Sequence, residues 1–245
     1  MRPKATPVYV DKAVIEQRKS ILLSAEKSHY LRKVMRVKKS DTIEIVDGAG
    51  GRYEGAVQEV TKKGVVLTIN SIKVEHHPYS TILCQAIIKG YWMDEIVQQV
   101  TELGIKEVYP LITERTVPRD IKRLSRWRKI AEESTEQCGR SHLTIIHEPI
   151  TLDGLLRSFS SQSQGIGILF NRGDGDIQDA ISDMDKTFYL AIGPEGGFSD
   201  REIARFSESG FVSVSLGRFT IRAKNAAPLA VALTHYFLDR HNRGR

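Results

Sequence analysis

The stretch Ile192-Gly193-Pro194-Glu195-Gly196-Gly197-Phe198-Ser199 is the most informative part of the sequence. It follows a continuous apolar run, Phe188–Ile192, and precedes a capping pattern of Ser199 and Glu202 that predicts the start of a helix. Glycines let the backbone adopt positive φ and approach a ligand closely, and N–H groups at a helix start can bind one. The stretch therefore predicts either a ligand-binding turn at the carboxyl end of a parallel strand or a tight turn without a ligand.

Apolar strands alternate with amphipathic helices on both sides of this stretch. The pattern predicts helices at Trp92–Leu103, stopped by Gly104, and at Ile121–Cys138, and further helices starting at Leu152, Ser199 and Asn225. The predicted strands are Thr81–Ile88, Ile105–Ile112, Leu143–Ile146, Gly165–Phe170, Thr187–Ile192 and Phe211–Leu216. This β/α alternation predicts a mostly parallel sheet covered on both faces.

The N-terminal part has a different character. Three short strands, Thr42–Val46, Tyr53–Val60 and Val65–Ile69, are separated by glycine turns and predict a small antiparallel barrel. The stretch Glu75-His76-His77-Pro78 is expected to be a linker, because Pro78 disfavours helix before it. We therefore expect two domains with a boundary near this linker.

Positive charge is concentrated at the N-terminus. Residues 1–40 hold eleven Lys or Arg and three acidic residues, a net charge of +8, whereas the other 205 residues hold 25 and 27, a net charge of −2. Ser24 is predicted to cap a helix to about Met35, with Leu31, Val34 and Met35 facing inward. Its i, i+3, i+4, i+7 positions form a cationic stripe of His29, Arg32, Lys33 and Arg36. A charge cluster alone is most simply a solvated helix face, but the basic pI and the one-sided placement shift the interpretation towards binding of nucleic acid.

Two further groups accompany the main glycine stretch. Leu216-Gly217 also ends an apolar strand and leads to Arg218, Ile221 and Arg222, so it could line the other side of the same pocket. Glu136–Arg140 closes a helix, and C-capping by Gly139 with Arg140 on the helix dipole explains it without any ligand. Cys138 is interpreted as a packed thiol rather than as a nucleophile.

Composition excludes several classes of protein. The chain has 245 residues, a net charge of +6 and two cysteines, which rules out a disulfide framework and a four-cysteine zinc site. The seven histidines are scattered and no HExxH or CxxC spacing occurs, so no metal site is predicted. No apolar run approaches the roughly 18 residues of a membrane span, and we expect a cytoplasmic protein without membrane contact.

In the order in which these motifs follow one another along the chain, the sequence resembles the RsmE family of 16S rRNA uridine-N3 methyltransferases, within the SPOUT class. His29–Arg36 and Asp47-Gly48-Ala49-Gly50 resemble the N-terminal RNA-binding barrel of that family. Ile192–Phe198 matches its most specific stretch letter for letter. The other matching segments are Thr101–Ile105, Pro110, Thr113–Arg115, Glu136–Arg140, Leu216-Gly217 and Ile221-Arg222.

The resemblance implies a fold, an activity and a set of site residues. Residues 1–73 would form a PUA-like RNA-binding β-barrel, and residues 74–245 a SPOUT α/β methyltransferase domain with a trefoil knot and the interface of a homodimer. The implied reaction is methylation of N3 of a uridine in 16S ribosomal RNA of the small subunit, with S-adenosyl-L-methionine as cofactor. The implied cofactor-binding residues are Leu169, Phe170, Ile192, Gly193, Pro194, Glu195, Gly196, Gly197, Leu216, Gly217, Ile221 and Arg222.

Three residues are the candidates for catalysis: Arg140, Arg222 and Glu195. The arginines would stabilise the uridine N3 anion, and Glu195 is either the base that accepts the N3 proton or a hydrogen-bond acceptor that holds the loop.

The last motif departs from the family pattern. Phe219 stands where the family usually has arginine, Lys224 where it has glutamate, and Asn225 where it has threonine. Because these changes lie beside the expected active site, two alternatives stay open. One is a SPOUT methyltransferase that acts on another RNA position, and the other is an RNA-binding protein with a vestigial cofactor pocket.

Overall fold

A computed structural model describes residues 6–16, 20–116, 123–161, 165–181 and 186–243. The described residues divide into two compact units. The first comprises the chain up to His77 together with Glu132–Leu143, and the second comprises Pro78–Ala131 and the chain from Thr144 onwards. The expected functional domains, an RNA-binding barrel of residues 1–73 and a methyltransferase domain of residues 74–245, stay a prediction.

The first unit contains a five-stranded sheet in the order β1-β3-β4-β5-β2. Its strands are β1 (Val8–Tyr9), β2 (Ser20–Leu22), β3 (Thr42–Val46), β4 (Gly51–Val60) and β5 (Val65–Val74). The pairing is antiparallel except between β1 and β3, which run parallel. The three predicted strands are confirmed as β3, β4 and β5. Ile21, Ile45 and Leu67, all at most 1% exposed, lie in the apolar core of this unit.

The cationic segment of this unit is only partly as predicted. After helix α1 (Lys12–Glu16), helix α2 (Ala25–Tyr30) is capped by Ser24, whose Oγ accepts a hydrogen bond from the Lys27 N–H at 3.3 Å. The next turn, Leu31–Met35, is a π-helix rather than a continuation of the α-helix. A π turn holds more residues than an α turn, so side chains at α-helical spacing no longer share a face. Leu31 is buried as predicted, but the inward orientation predicted for Val34 is wrong, because that residue is 64% exposed.

The second unit contains a seven-stranded sheet in the order β12-β10-β11-β6-β7-β8, with β9 also paired to β7. The strands are β6 (Thr81–Ala86), β7 (Glu107–Ile112), β8 (Ile145–Ile146), β9 (Ile150–Thr151), β10 (Gly165–Gly175), β11 (Thr187–Ile192) and β12 (Val212–Val214). Every ladder between the described strands of this sheet is parallel. The predicted parallel α/β sheet is confirmed.

Helices cover both faces of this sheet. They are α3 (Trp92–Leu103), α4 (Leu124–Cys138), α5 (Leu152–Ser161), α6 (Ile177–Ala180), α7 (Asp200–Glu208) and α8 (Ala223–Arg243). Along β11, Phe188 and Leu190 join one apolar cluster while Tyr189 and Ala191 join another, as alternate side chains of a doubly covered strand must. Gly104 ends α3 with φ +98°, as predicted. The first two residues of the helix predicted from Ile121, residues 121–122, lie outside the described residues. No described helix combines the length and apolarity needed to cross a membrane.

Candidate active site

A cavity of about 1230 Å³ opens at the carboxyl edge of the parallel sheet. Its walls come from the carboxyl ends of five adjacent strands, β12, β10, β11, β6 and β7, and from the segments that follow them. The lining residues are Ile88, Trp92, Arg115, Phe170, Asn171, Arg172, Gly173, Ile192, Gly193, Pro194, Glu195, Gly196, Gly197, Phe198, Ser215, Leu216, Gly217, Arg218, Phe219, Thr220, Ile221, Arg222, Ala223, Lys224 and Ala226. A cavity in this position is the usual ligand site of an open α/β sheet.

The glycine stretch after β11 forms a tight turn into α7. The Gly197 N–H donates to the Pro194 carbonyl at 2.8 Å. Gly197 has φ +69°, a backbone conformation that residues with a side chain adopt only at a cost in free energy. The predicted capping box is confirmed. Ser199 Oγ accepts from the Glu202 N–H at 3.2 Å, and Glu202 Oε2 accepts from the Ser199 N–H at 2.9 Å. The turn is therefore fixed at the helix end by two reciprocal hydrogen bonds.

Neighbouring loops hold the same turn from the side. Arg115 donates a hydrogen bond to the Gly196 carbonyl, and Glu202 Oε1 accepts one from the Glu114 N–H at 2.9 Å. Glu195 Oε1 accepts a hydrogen bond from the Lys89 N–H at 3.1 Å. Glu195 thus has the loop-holding contact that was one of its two predicted roles, while its role as a base stays a prediction.

The loop after β12 closes the opposite side of the cavity. Gly217, with φ +124°, donates its N–H to Ser215 Oγ at 3.2 Å, and Ser215 Oγ donates to the Gly217 carbonyl at 2.9 Å. Arg172 Nη2 donates to Thr220 Oγ1 at 3.1 Å and so ties this loop to the C-terminal part of β10. The Arg222 carbonyl accepts the N–H groups of Asn225 and Ala226 and begins α8. The expected pairing of two glycine turns in one pocket is observed.

Sequence reasoning missed a contact within the cavity wall. Lys224 Nζ lies 3.5 Å from the centre of the Trp92 ring, a cation–π geometry that joins the starts of α8 and α3. The sequence did contain a signal: each residue lies at the start of a helix that follows a strand, and both strands belong to the same predicted parallel sheet.

Positive charge dominates the cavity. Among the lining residues, Glu195 is acidic and five are cationic: Arg115, Arg172, Arg218, Arg222 and Lys224. The cavity therefore suits an anionic ligand.

Most of the predicted cofactor-binding residues meet at this cavity. Eleven line it: Phe170, Ile192, Gly193, Pro194, Glu195, Gly196, Gly197, Leu216, Gly217, Ile221 and Arg222. Leu169 does not, because its side chain is 1% exposed and packs in the apolar cluster on the other face of β10. The structure thus brings the two glycine loops together, and their assignment to a cofactor stays a prediction.

Arg140 belongs to the first unit, where its Nη2 lies 3.0 Å from His77 Nε2. It is not among the described residues that line the cavity. Burial lowers the pKa of Arg140, and burial followed by the charge of Arg140 lowers the pKa of His142. A catalytic role of Arg140 stays a prediction.

The four residues of the predicted cationic stripe differ in exposure. His29, Lys33 and Arg36 are exposed, whereas Arg32 is half-buried and its Nη1 donates to the Thr61 carbonyl at 2.7 Å. Arg36 follows the π turn with φ +54°. The Arg32 side chain therefore makes a hydrogen bond within the first unit, whereas the other three side chains are exposed to solvent.

The described residues contain no group of three or more His, Cys, Asp or Glu that could hold a metal ion. Cys84 is buried, and burial raises the pKa of its thiol. Cys138 is exposed, so the interpretation of it as a packed thiol is wrong. It is the last residue of α4, where its Sγ donates a hydrogen bond to the Thr135 carbonyl at 3.7 Å.

Comparison with known proteins agrees with the geometry. Residues 75–235 match the family model of the RNA methyltransferase domain, and residues 23–70 match that of the RNA methyltransferase PUA domain. The ribosomal RNA small subunit methyltransferase E of Mesomycoplasma hyopneumoniae is 31% identical over 164 residues, 65% of this chain and 71% of the relative. This chain belongs to the RsmE family of RNA methyltransferases. The relative of the same name from Synechocystis is 29% identical over 225 residues, 90% of this chain and 74% of the relative.

Solved structures support the same family and fold. The RsmE structure from Neisseria gonorrhoeae bound to S-adenosyl methionine is 25% identical, with a TM-score of 0.83 over 95% of this chain and 97% of that one. A methyltransferase from Legionella pneumophila in complex with the bound cofactor SAM is 27% identical, with a TM-score of 0.80 over 96% and 98%. The RsmE resemblance, the PUA-like N-terminal fold and the SPOUT α/β fold are thereby confirmed.

Proposed function

We propose that this protein transfers the methyl group of S-adenosylmethionine to N3 of a uridine in 16S ribosomal RNA of the small subunit. The observation that carries the proposal is the charge of the cavity, with five cationic lining residues and one acidic residue. S-adenosylmethionine has a positive sulfonium and an amino-acid zwitterion, so it does not by itself balance these cations. An RNA strand does, because its phosphates are anionic. At about 1230 Å³ the cavity is also larger than most small-molecule sites, which supports a cofactor together with a nucleotide.

The residues present fit S-adenosylmethionine. The half-buried apolar side chains of Leu216 and Ile221 offer a surface for an adenine ring. A Cβ atom at Gly193 would lie 3.2 Å from the Phe198 ring and backbone, so a side chain there would require the turn to shift by a few tenths of an ångström. We assign cofactor binding to the two glycine loops and to the segment at Leu169-Phe170. When bound there, the cofactor supplies an electrophilic methyl group on sulfur.

The chain must expose the uridine and stabilise its N3 anion. Taking the base out of pairing costs a few kcal/mol unless the RNA is already open at that point. N3 carries a proton at neutral pH, and cations beside O2 and O4 favour its loss. Arg222 and Lys224 line the cavity and are assigned this role, and Arg140 belongs to the same proposal. Because Glu195 Oε1 accepts a hydrogen bond from the Lys89 N–H, we assign Glu195 to holding the loop rather than to accepting the proton.

The first unit is proposed to bind RNA through its basic segment. Its exposed cations His29, Lys33 and Arg36, with the half-buried Arg32 beside them, support this assignment. The division into a PUA-like domain of residues 1–73 and a methyltransferase domain of residues 74–245 is part of the proposal. So are the trefoil knot and a homodimer, which rest on the family resemblance, and a cytoplasmic location, which rests on the composition.

Transfer of labelled methyl groups tests the proposed function. Purified protein is incubated with labelled S-adenosylmethionine and either free 16S rRNA or assembled small subunits from cells that lack this activity. N3 lies on the pairing edge of uracil, so its methylation stops reverse transcriptase at one position. A single new stop at a uridine is the expected result. Label at another atom or RNA would favour a different SPOUT specificity, and RNA binding without cofactor binding would favour the vestigial pocket suggested by Lys224 and Asn225.

A further inference from the structure

Phe219 is the most exposed large apolar residue among those described, with 87% of its surface accessible. It lies in the loop between β12 and α8, and it lines the mouth of the cavity. Single exposed apolar residues are common on protein surfaces and need no explanation by themselves. Phe219 differs from such residues because its loop is held by hydrogen bonds and because cationic residues line the same cavity.

The loop that carries Phe219 is held on both sides of the ring. Before it, Ser215 and Gly217 exchange two hydrogen bonds, at 2.9 and 3.2 Å. After it, Thr220 Oγ1 accepts a hydrogen bond from Arg172 at 3.1 Å, and the Arg222 carbonyl begins α8. The backbone therefore presents the ring to solvent in a defined place, and less ordering is needed when a ligand binds.

Cations line the same cavity as this ring. Arg218 precedes Phe219 in the sequence, and Arg172 and Arg222 also line the cavity. All three arginines are exposed. Of the described residues that line the cavity, Glu195 is the one acidic residue. Aromatic rings beside a cationic groove are the recurring feature of sites for single-stranded nucleic acid, because every base has a face that can stack and every nucleotide a phosphate.

We propose that Phe219 is a stacking platform for an unpaired base of the RNA strand that enters the cavity, with Arg218 contacting a phosphate of the same strand. The inference rests on the proposed function and adds the form of the substrate, a single-stranded segment with at least one base splayed out beside the site. Stacking contributes affinity without reading sequence, and the phosphate contact contributes a dependence on salt.

Binding of a fluorescein-labelled oligouridylate to the full chain tests this inference. Fluorescence anisotropy is measured across a series of salt concentrations for the wild type, Phe219→Leu, Phe219→Tyr and Arg218→Ala. Phe219→Leu keeps an apolar side chain but removes the ring, and it is expected to weaken binding about 5- to 100-fold by the same factor at every salt concentration. Phe219→Tyr keeps the ring and is expected to bind like the wild type. Arg218→Ala is the matched control in the same loop, and it is expected to reduce the salt slope by about 0.7.

The outcomes separate the inference from the proposed function. If the wild type binds the oligouridylate and Phe219→Leu binds equally well, the stacking role is wrong while the proposed function stands. If Phe219→Leu instead changes the sedimentation of the protein without changing RNA affinity, the ring belongs to a contact between two copies, and the stacking role is wrong again. If the wild type binds neither the oligouridylate nor 16S rRNA, the proposed function fails and the inference fails with it.

Discussion

The Lys224 ammonium lies 3.5 Å from the centre of the Trp92 ring and links the first turn of α8 to the first turn of α3. Both residues line the cavity, so one wall of the candidate site depends on a contact between residues far apart in the sequence. The family usually has glutamate at the position of Lys224. In this chain the residue is a cation that packs on an aromatic face, and it adds to the positive charge of the site.

This contact predicts a measurable coupling between the two residues. The free energy of unfolding of Lys224→Met, Trp92→Leu and the double variant is compared with that of the wild type by chemical denaturation. The double-mutant cycle is expected to give a coupling of about 0.5–1 kcal/mol, the usual size for a partly exposed cation–π pair. Lys224→Arg retains a cation and serves as the control. Additivity of the two single substitutions would show that the pair contributes nothing.

Arg222 predicts a separation of turnover from cofactor binding. Arg222→Ala removes a cation of the cavity that is assigned to the uridine anion, so kcat on 16S rRNA is expected to fall by about 100-fold. The affinity for S-adenosylmethionine should stay nearly unchanged, since the glycine loops hold it through their backbone. Arg201→Ala removes the same charge from an exposed position of α7 that does not line the cavity. An unchanged kcat in Arg222→Ala would remove Arg222 from the mechanism.

The glycine turn predicts a difference between two glycines of similar conformation. Gly197 and Gly210 have φ of +69° and +87°, and no atom lies within 4 Å of a Cβ built on either residue. Alanine at each position is therefore expected to cost about 1–2 kcal/mol of stability through backbone strain. Gly197 lines the cavity and Gly210 does not. Calorimetry should show S-adenosylmethionine affinity reduced about tenfold or more in Gly197→Ala and unchanged in Gly210→Ala; equal affinity in both would place the cofactor away from this turn.

Glu75 predicts a dependence of stability on pH in the first unit. Hydrogen bonds from Arg52 at 3.2 Å and from Ser141 at 2.8 Å lower the pKa of Glu75 to about 2. Because the folded pKa lies below the unfolded value of about 4.3, the contribution is fully present above that value and is lost as the pH falls towards 2.

Glu75→Gln should therefore destabilise the protein at pH 7 and progressively less below pH 4. The loss is expected to be about 1 kcal/mol or less, because the side chain is 29% exposed and solvent screens the pair. Urea denaturation at pH 7, 5 and 3 measures it, with Glu59→Gln, an exposed carboxylate of β4, as the control. A loss that is the same at pH 7 and pH 3 would contradict the role of the Glu75 charge.

Local signals explain how much of the architecture could be predicted. The buried parallel strands are continuous apolar runs, and the capping box of Ser199 and Glu202 marks the start of α7 in four residues of sequence. The glycine turns were recognisable because positive φ and close approach require glycine. Eleven of the twelve cofactor-binding candidates that the family resemblance implied line the cavity.

The missed features depend on contacts that sequence spacing does not contain. The π turn at Leu31–Met35 changes which side chains share a face, so Val34 points outward and Arg32 reaches Thr61. Strands as short as β1 and β2 have two and three residues, too few for a period-two pattern to be recognised. The position of Arg140 in the first unit follows from how the end of α4 packs there, which no local motif records.

Calorimetric titration with S-adenosylmethionine tests most directly the central claim, that the cavity formed by the two glycine loops is the cofactor site of a methyltransferase. ATP and NAD serve as control ligands, and Gly197→Ala serves as the variant in which the turn is changed. Saturable binding of S-adenosylmethionine alone, weakened in Gly197→Ala, is the predicted result. No binding at millimolar concentration, with RNA present or absent, or equal binding of ATP, would contradict the claim.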